Sequence, residues 1–255
     1  MAKIQIERFS EGSFSPCPDE VAGEEPLQIT VDGFPVAVVM RTPGHDEELV
    51  SGFLLTEGVV GSLGEVRRID TEDQNHARVF LEDDVELDRA RLSRNLFSAS
   101  SCGICGKATI DSVRQQHERI EGGSYPADRL LDFPAKLRAA QETFGRTGGL
   151  HAAGLFDDEG ELLVAREDVG RHNAIDKVIG WAAKENPTGT ALMVSGRVSF
   201  EVMQKALAGR IALVAAISAP TSLAVEFGQE SGQTLVGFLR PPSFNVYAGL
   251  GRLRR

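Results

Sequence analysis

The stretch ALMVSGRVSFEVMQKALAGRIALVAAISAPTSLAVEFGQESGQTLVGFL, residues 191–239, decides the fold. Two unbroken apolar runs, ALMVS and IALVAAIS, are each followed by a segment with apolar residues at helical spacing, SFEVMQKALAG and TSLAVEFGQE. A third strand, TLVGFL, closes the series, with residues 235–239 as its buried part. Strands that alternate with helices predict a parallel or mixed sheet covered by helices. Runs without polar alternation are what a sheet covered on both faces requires. Upstream, GLHAAGLF and ELLVARE read as strands around DDEG. NAIDKVIGWAAKEN reads as a helix with Ile175, Val178, Ile179 and Ala182 on one face, and residues 134–144 as a helix ended by Gly145.

Nearer the start, LQITVDGFPVAVVM alternates apolar and polar residues around Asp32-Gly33, a hairpin signal. Residues 46–57 predict a short helix with Leu49, Val50, Phe53 and Leu54 on one face and Gly58 as its stop. VRRID and HARVFLE are two further strands, and LDRARLSRNLF is a helical candidate. EGGSYPAD is the best internal break. The expected organisation is a flexible arm over residues 1–25, a smaller β-rich subdomain over 26–121, and an α/β domain over 122–255.

A formal net charge of −10 argues against non-specific binding of nucleic acid or anionic membranes, although a local basic pocket is still allowed. Three cysteines do not make a disulfide scaffold. The opening MAKIQIERFSEG lacks the apolar core of a signal peptide, and the run IALVAAI is far short of the roughly 20 residues that span a bilayer. The expected setting is a reducing cytoplasm.

In that setting SSCGICGKA is the chemically pointed segment. Glycines beside Cys102 and Cys105 leave the sulfurs uncrowded, and Lys107 favours thiolate. KATIDSVRQQH predicts a helix opening directly after the pair, which would lower the Cys105 thiol pKa further. Three chemistries compete: reactive sulfur, a dithiol redox site and zinc. A zinc deaminase carries H-x-E followed by P-C-x-x-C. His45-Asp46-Glu47 and CGIC imitate it, but Ser101 stands where the proline should be. With ligands short, no permanently bound metal is expected.

The turns after the two apolar strands, residues 193–199 and 217–222, both open helices at the carboxyl edge of the sheet, where ligands of α/β proteins bind. Ser195, Arg197 and Ser218 there suggest a phosphate cradle, with helix capping by Ser199 and Thr221 as the plainer reading. Residues 166–177, REDVGRHNAIDK, are dense in polar side chains. They read either as a capped helix or as a ligand site using Arg171 and His172, with His151 nearby.

TGGLHAAGLF, EDVGRHNAIDKVIG, SGRVSFEVMQKA, SAPTSLAVEF and SSCGICG closely resemble the FdhD/NarQ family, and TPGHDEELVSGFLLTEG is similar to its early motif. The resemblance implies a cytidine-deaminase-like mixed α/β fold and a homodimer. It also implies a sulfurtransferase that takes sulfur from a cysteine desulfurase as a persulfide on Cys102 or Cys105. The sulfur would pass to the molybdenum cofactor, bis(molybdopterin guanine dinucleotide), before insertion into apo-formate dehydrogenase. The family's G-F-x-R region assigns cofactor contacts to Phe238, Leu239, Arg240, Pro241, Pro242 and Ser243, beside Ser195, Arg197, Ser218, Arg171 and His172. A non-catalytic cofactor chaperone is the alternative, and a zinc-dependent deaminase-like enzyme the third reading.

Overall fold

The computed structural model describes residues 1–89, 118–187 and 191–255. The expected flexible arm is instead an antiparallel hairpin, β1 (Ala2–Ser10) and β2 (Ser13–Val21). Glu11 and Gly12 join the strands at φ of 52° and 81°, the tight turn that matches strand twist. Polar, proline-bearing composition hid the strands, and their side chains do stay exposed almost throughout.

The hairpin read from Asp32-Gly33 is present as β3 (Glu25–Val31) and β4 (Phe34–Arg41), with both turn residues at positive φ. Helix α1 (Asp46–Thr56) follows, then β5 (Val66–Asp70) and β6 (His76–Leu81). The sheet order is β4-β3-β6-β5, with β3 and β6 parallel. Leu27, Ile29 and Val31 alternate inward from β3 and meet Leu49, Val50 and Leu54 of α1.

The larger layer begins with β7 (Tyr125–Pro126). Two short helices, α2 (Phe133–Ala139) and α3 (Glu142–Thr147), replace the single helix expected over 134–144. Gln141 leaves helical geometry, and the Glu167 carboxylate accepts hydrogen bonds from the Thr143 and Phe144 backbone N–H groups at 2.9 and 2.7 Å. A partner distant in sequence thus satisfies the new helix start.

The remaining elements are β8 (His151–Phe156), β9 (Leu162–Asp168), α4 (Arg171–Glu185), β10 (Ala191–Val194), α5 (Phe200–Ala208), β11 (Leu213–Ala216), α6 (Ser222–Ser231), β12 (Thr234–Arg240), β13 (Ser243–Ala248) and β14 (Leu253–Arg254). The six-stranded sheet runs β13-β12-β11-β10-β8-β9. Leu192, Val194, Val214 and Ala216 face one core with α4, α5 and α6, whereas Ala191, Met193, Leu213 and Ala215 face the other with Phe133 and Leu137 of α2. This is the mixed sheet buried on both faces that the unbroken apolar runs predict. β13 is an addition: the chain turns at Pro241-Pro242 and returns as an antiparallel edge strand.

The smaller layer is fused to the larger by α1 against α4. Lys205 of α5 also reaches both helices, with its ammonium 2.9 Å from each Asp176 oxygen, 3.0 Å from Glu57 and 2.8 Å from Thr56. Burial works against that charge, but Asp176 and then Glu57 hold its pKa above the ordinary lysine range. Chain continuity with the larger layer is already established before residue 122, since the Ile120 N–H donates to the Ser231 carbonyl at 2.9 Å. Among the described residues no helix is long and apolar enough to cross a membrane.

Candidate functional site

β9, β10, β11 and β12 share one direction, and β8 runs against them. Their carboxyl ends, with the start of β8, therefore form one edge. Chain segments from five separate parts of the sequence meet there: His151, Arg171, the turn with Ser195 and Arg197, the turn with Ser218, and residues 238–243. Parallel pairing brings equivalent loop positions side by side, and the loops are laced together. Val198 N–H donates to the Ala219 carbonyl at 3.2 Å, Thr221 N–H to the Val198 carbonyl at 2.9 Å, and Phe238 N–H to the Ser218 carbonyl at 3.1 Å.

The side chains at this edge divide into those that hold the fold and those that are available. Ser195 is committed: its hydroxyl accepts from the Ala152 N–H at 3.0 Å. Leu239 lies in the core, so only its backbone is offered to the edge. His172 is buried, with Nε2 3.2 Å from a Glu201 carboxylate oxygen of α5. Arg171 donates to that same ring at 3.4 Å. By contrast Arg197 is exposed, and no described residue pairs with it. Arg240 is exposed too; its Nε donates to the Ile217 carbonyl at 3.2 Å and its guanidinium stands 5.9 Å from the centre of the Phe238 ring. Phe238 itself is exposed at a positive φ of 50°, and Pro241, Pro242 and Ser243 form the exposed tip.

The capping expectation is half right. Thr221 accepts from the Ala224 N–H at 3.3 Å and caps α6. Ser199 precedes α5 without capping it, and its hydroxyl is buried with no partner among the described residues. A buried hydroxyl left unpaired costs on the order of 1–3 kcal/mol. Nothing in the order of residues distinguishes Ser199 from an ordinary cap.

The polar density of residues 166–177 has a structural cause. Asp168, fully buried, accepts from the Thr42, Gly170 and Asn173 side or main chains and from the Lys177 ammonium at 2.8 Å. Lys177 also donates to the Thr42 carbonyl at 2.8 Å, and Asn173 to that of Met40 at 2.7 Å. These residues fasten the start of α4 to the β4–α1 connection, which leaves half-buried Arg171 as the cation of the motif with no carboxylate partner among the described residues. His151 lies beside Gly196 and near Arg171; burial and then the Arg171 charge lower its pKa, against a weaker pull from Asp168. The shift favours the neutral imidazole, which can donate or accept at the edge.

Arg171, Arg197 and Arg240 give one positive edge on a chain of net charge −10, with helix N-termini behind two of its turns. Such an edge suits phosphates. A cavity of about 520 Å³ opens elsewhere, toward the amino ends of β10 and β11, with Leu55, Ile179, Ala182 and Leu213 among its walls. It does not reach the arginine edge.

Cys102, Cys105, Lys107 and the helix expected after them lie outside the described residues. Cys17 lies on β2, half-buried opposite Ile6. The deaminase-like triplet is otherwise engaged: Asp46 binds Arg41, Glu47 binds Lys184, and His45 faces Glu48. Among the described residues no three His, Cys, Asp or Glu side chains are grouped to hold a metal.

The FdhD/NarQ family description matches residues 22–254. The sulfur carrier protein FdhD of Streptomyces avermitilis is 46% identical, covering 98% of this chain and 94% of that protein. The protein of the same name from Mycobacterium tuberculosis is 48% identical over 92% of each chain, and that from the archaeon Sulfolobus acidocaldarius 41% identical over 96% and 95%. In structure the chain is similar to a Desulfotalea psychrophila protein assigned as a formate dehydrogenase accessory protein, with a TM-score of 0.81, 23% identity and 99% of both chains covered. That likeness, spanning both sheets, shows the same mixed α/β fold. With a family match over nearly its whole length and relatives at 41–48% identity, this chain belongs to the FdhD/NarQ family.

Proposed function

We propose that this chain is a sulfur carrier that serves formate dehydrogenase. The observation that carries the reading is the near-complete match to proteins named as sulfur carriers, in a chain that places a reactive-looking cysteine pair in SSCGICGKA. Cys102 or Cys105, as thiolate, attacks the outer sulfur of a cysteine desulfurase persulfide. The desulfurase cysteine leaves as thiolate, and the sulfane sulfur has moved with no net oxidation. For delivery, the second thiolate of the pair attacks the inner sulfur of the persulfide. A Cys102–Cys105 disulfide forms and the outer sulfur leaves as hydrosulfide, the two electrons coming from the cysteines.

The acceptor is the molybdenum cofactor, bis(molybdopterin guanine dinucleotide), before it enters the apo-enzyme. Arg197, Arg240 and Arg171 supply charge for its phosphates, and the turn at 238–243 a surface for its base. The protein works as a homodimer in a reducing cytoplasm. Intact-mass analysis after incubation with a cysteine desulfurase and cysteine tests the reading. One added sulfur on the peptide containing Cys102 and Cys105 is expected. Sulfur only on Cys17, or formate dehydrogenase activation that survives replacement of both Cys102 and Cys105 by Ala, would favour a chaperone instead.

A further inference from the structure

The β1–β2 hairpin stands against the body of the protein at one corner, where Glu20 takes two guanidinium nitrogens of Arg146 at 2.7 Å each. An isolated two-stranded ribbon is marginal in water. Its two edges are built differently. Ser10 and Ser13 flank the two-residue turn and so form a hydrogen-bonded pair, which repeats at Arg8–Ser15, Ile6–Cys17 and Ile4–Asp19. The peptide groups of the residues between them point outward. On β2 those outward positions include Pro16 and Pro18, which have no N–H, so that edge is closed to another strand. On β1 they are Lys3, Gln5, Glu7 and Phe9, all exposed and none proline.

We infer that β1 is a pairing edge for a second copy of this chain, antiparallel about a two-fold axis at Gln5. It specifies the contact surface of the dimer proposed above. Only outward-pointing residues can exchange ladder bonds, so the register must match odd-numbered residues with odd. With Gln5 on the axis, Lys3 faces Glu7 of the partner subunit and Glu7 faces Lys3 of the partner subunit. On the opposite face Ile4 meets Ile6 of the partner subunit, and both apolar rows join into one. Moving the axis to Ile6 sets Lys3 against Phe9 and Glu7 against Gln5, and both ion pairs are lost. Charge therefore selects the register. The contact is isologous and closes on itself, and the outer proline edges stop a third chain from adding.

Sedimentation equilibrium on the full-length chain tests this, with circular dichroism as the control for folding. Lys3→Glu or Glu7→Lys alone should weaken the dimer by about tenfold, and the double exchange should restore it. Gln5→Pro removes the central outward N–H and should abolish dimerisation while each chain stays folded. A dimer indifferent to all of these would overturn the β1 contact and leave dimerisation to another surface; a wild-type chain that stays monomeric would overturn both.

Discussion

Gly52 of α1 and Gly180 of α4 cross with their backbones in contact. A Cβ on Gly52 would run into the Asp176 carbonyl, and one on Gly180 into the Glu48 carbonyl. Both obstacles are main chain in helix interiors and cannot turn aside. This crossing sets the smaller sheet against the larger one. Alanine at either glycine should cost about 3 kcal/mol or more. Urea denaturation of each variant measures it, and a loss below about 1 kcal/mol would show that the helices can part without penalty.

Asp168 and Lys177 form an ion pair in which neither side chain reaches solvent, at 0% and 1% exposure. Asp168→Ala would leave the Lys177 ammonium buried against carbonyls alone. A cost of about 3–5 kcal/mol is expected, as for other broken buried pairs. Near-wild-type stability in denaturant would mean that the lysine escapes to water.

The two helix starts at the candidate edge should answer mutation differently. Thr221→Ala removes a real cap and should cost about 1 kcal/mol. Ser199→Ala removes an unpaired buried hydroxyl, so stability should hold or rise. Thermal denaturation compares them, and equal losses would show that Ser199 caps after all.

His151 should titrate below the ordinary histidine value of 6.5. Its folded pKa is depressed, so the unfolded chain takes the proton first as pH falls. The stability linked to His151 is therefore complete above about pH 6.5 and declines as pH drops through the lower folded value. Histidine NMR titration checks the direction, and Arg171→Ala should move the midpoint upward. A midpoint above 6.5 in the wild type would contradict the placement beside Arg171.

For the proposed cofactor edge, GDP is a convenient fragment. Arg197→Ala touches no fold contact among the described residues and should leave stability within about 0.5 kcal/mol. Loss of a charged hydrogen bond to phosphate is on the order of 1.5–3 kcal/mol, so GDP affinity should fall about tenfold or more by calorimetry. Arg240→Ala should do the same. Unchanged affinity in both folded variants would move the phosphate site away from residues 197 and 240.

The sequence by itself determined what depends on neighbours a few residues away. The apolar runs of β10 and β11 and the helices after them could be read from periodicity, because each buries its own pattern. Asp32-Gly33 specified its turn because few residues accept positive φ there. The cysteine pair and the ordered motifs named the family without any coordinate. Tertiary structure decided what depends on partners far along the chain. Glu167 splits the helix expected over 134–144 by capturing a second helix start. Asp168, Asn173 and Lys177 turn a polar motif into a buried clasp on the β4–α1 connection, and only packing reveals which of its charges, Arg171, is left without a carboxylate partner among the described residues. Ser199 and Thr221 look alike in sequence, yet one caps and the other is left buried and unpaired. Parallel strand pairing gathers five distant segments into one edge, a result of strand order that local sequence does not encode.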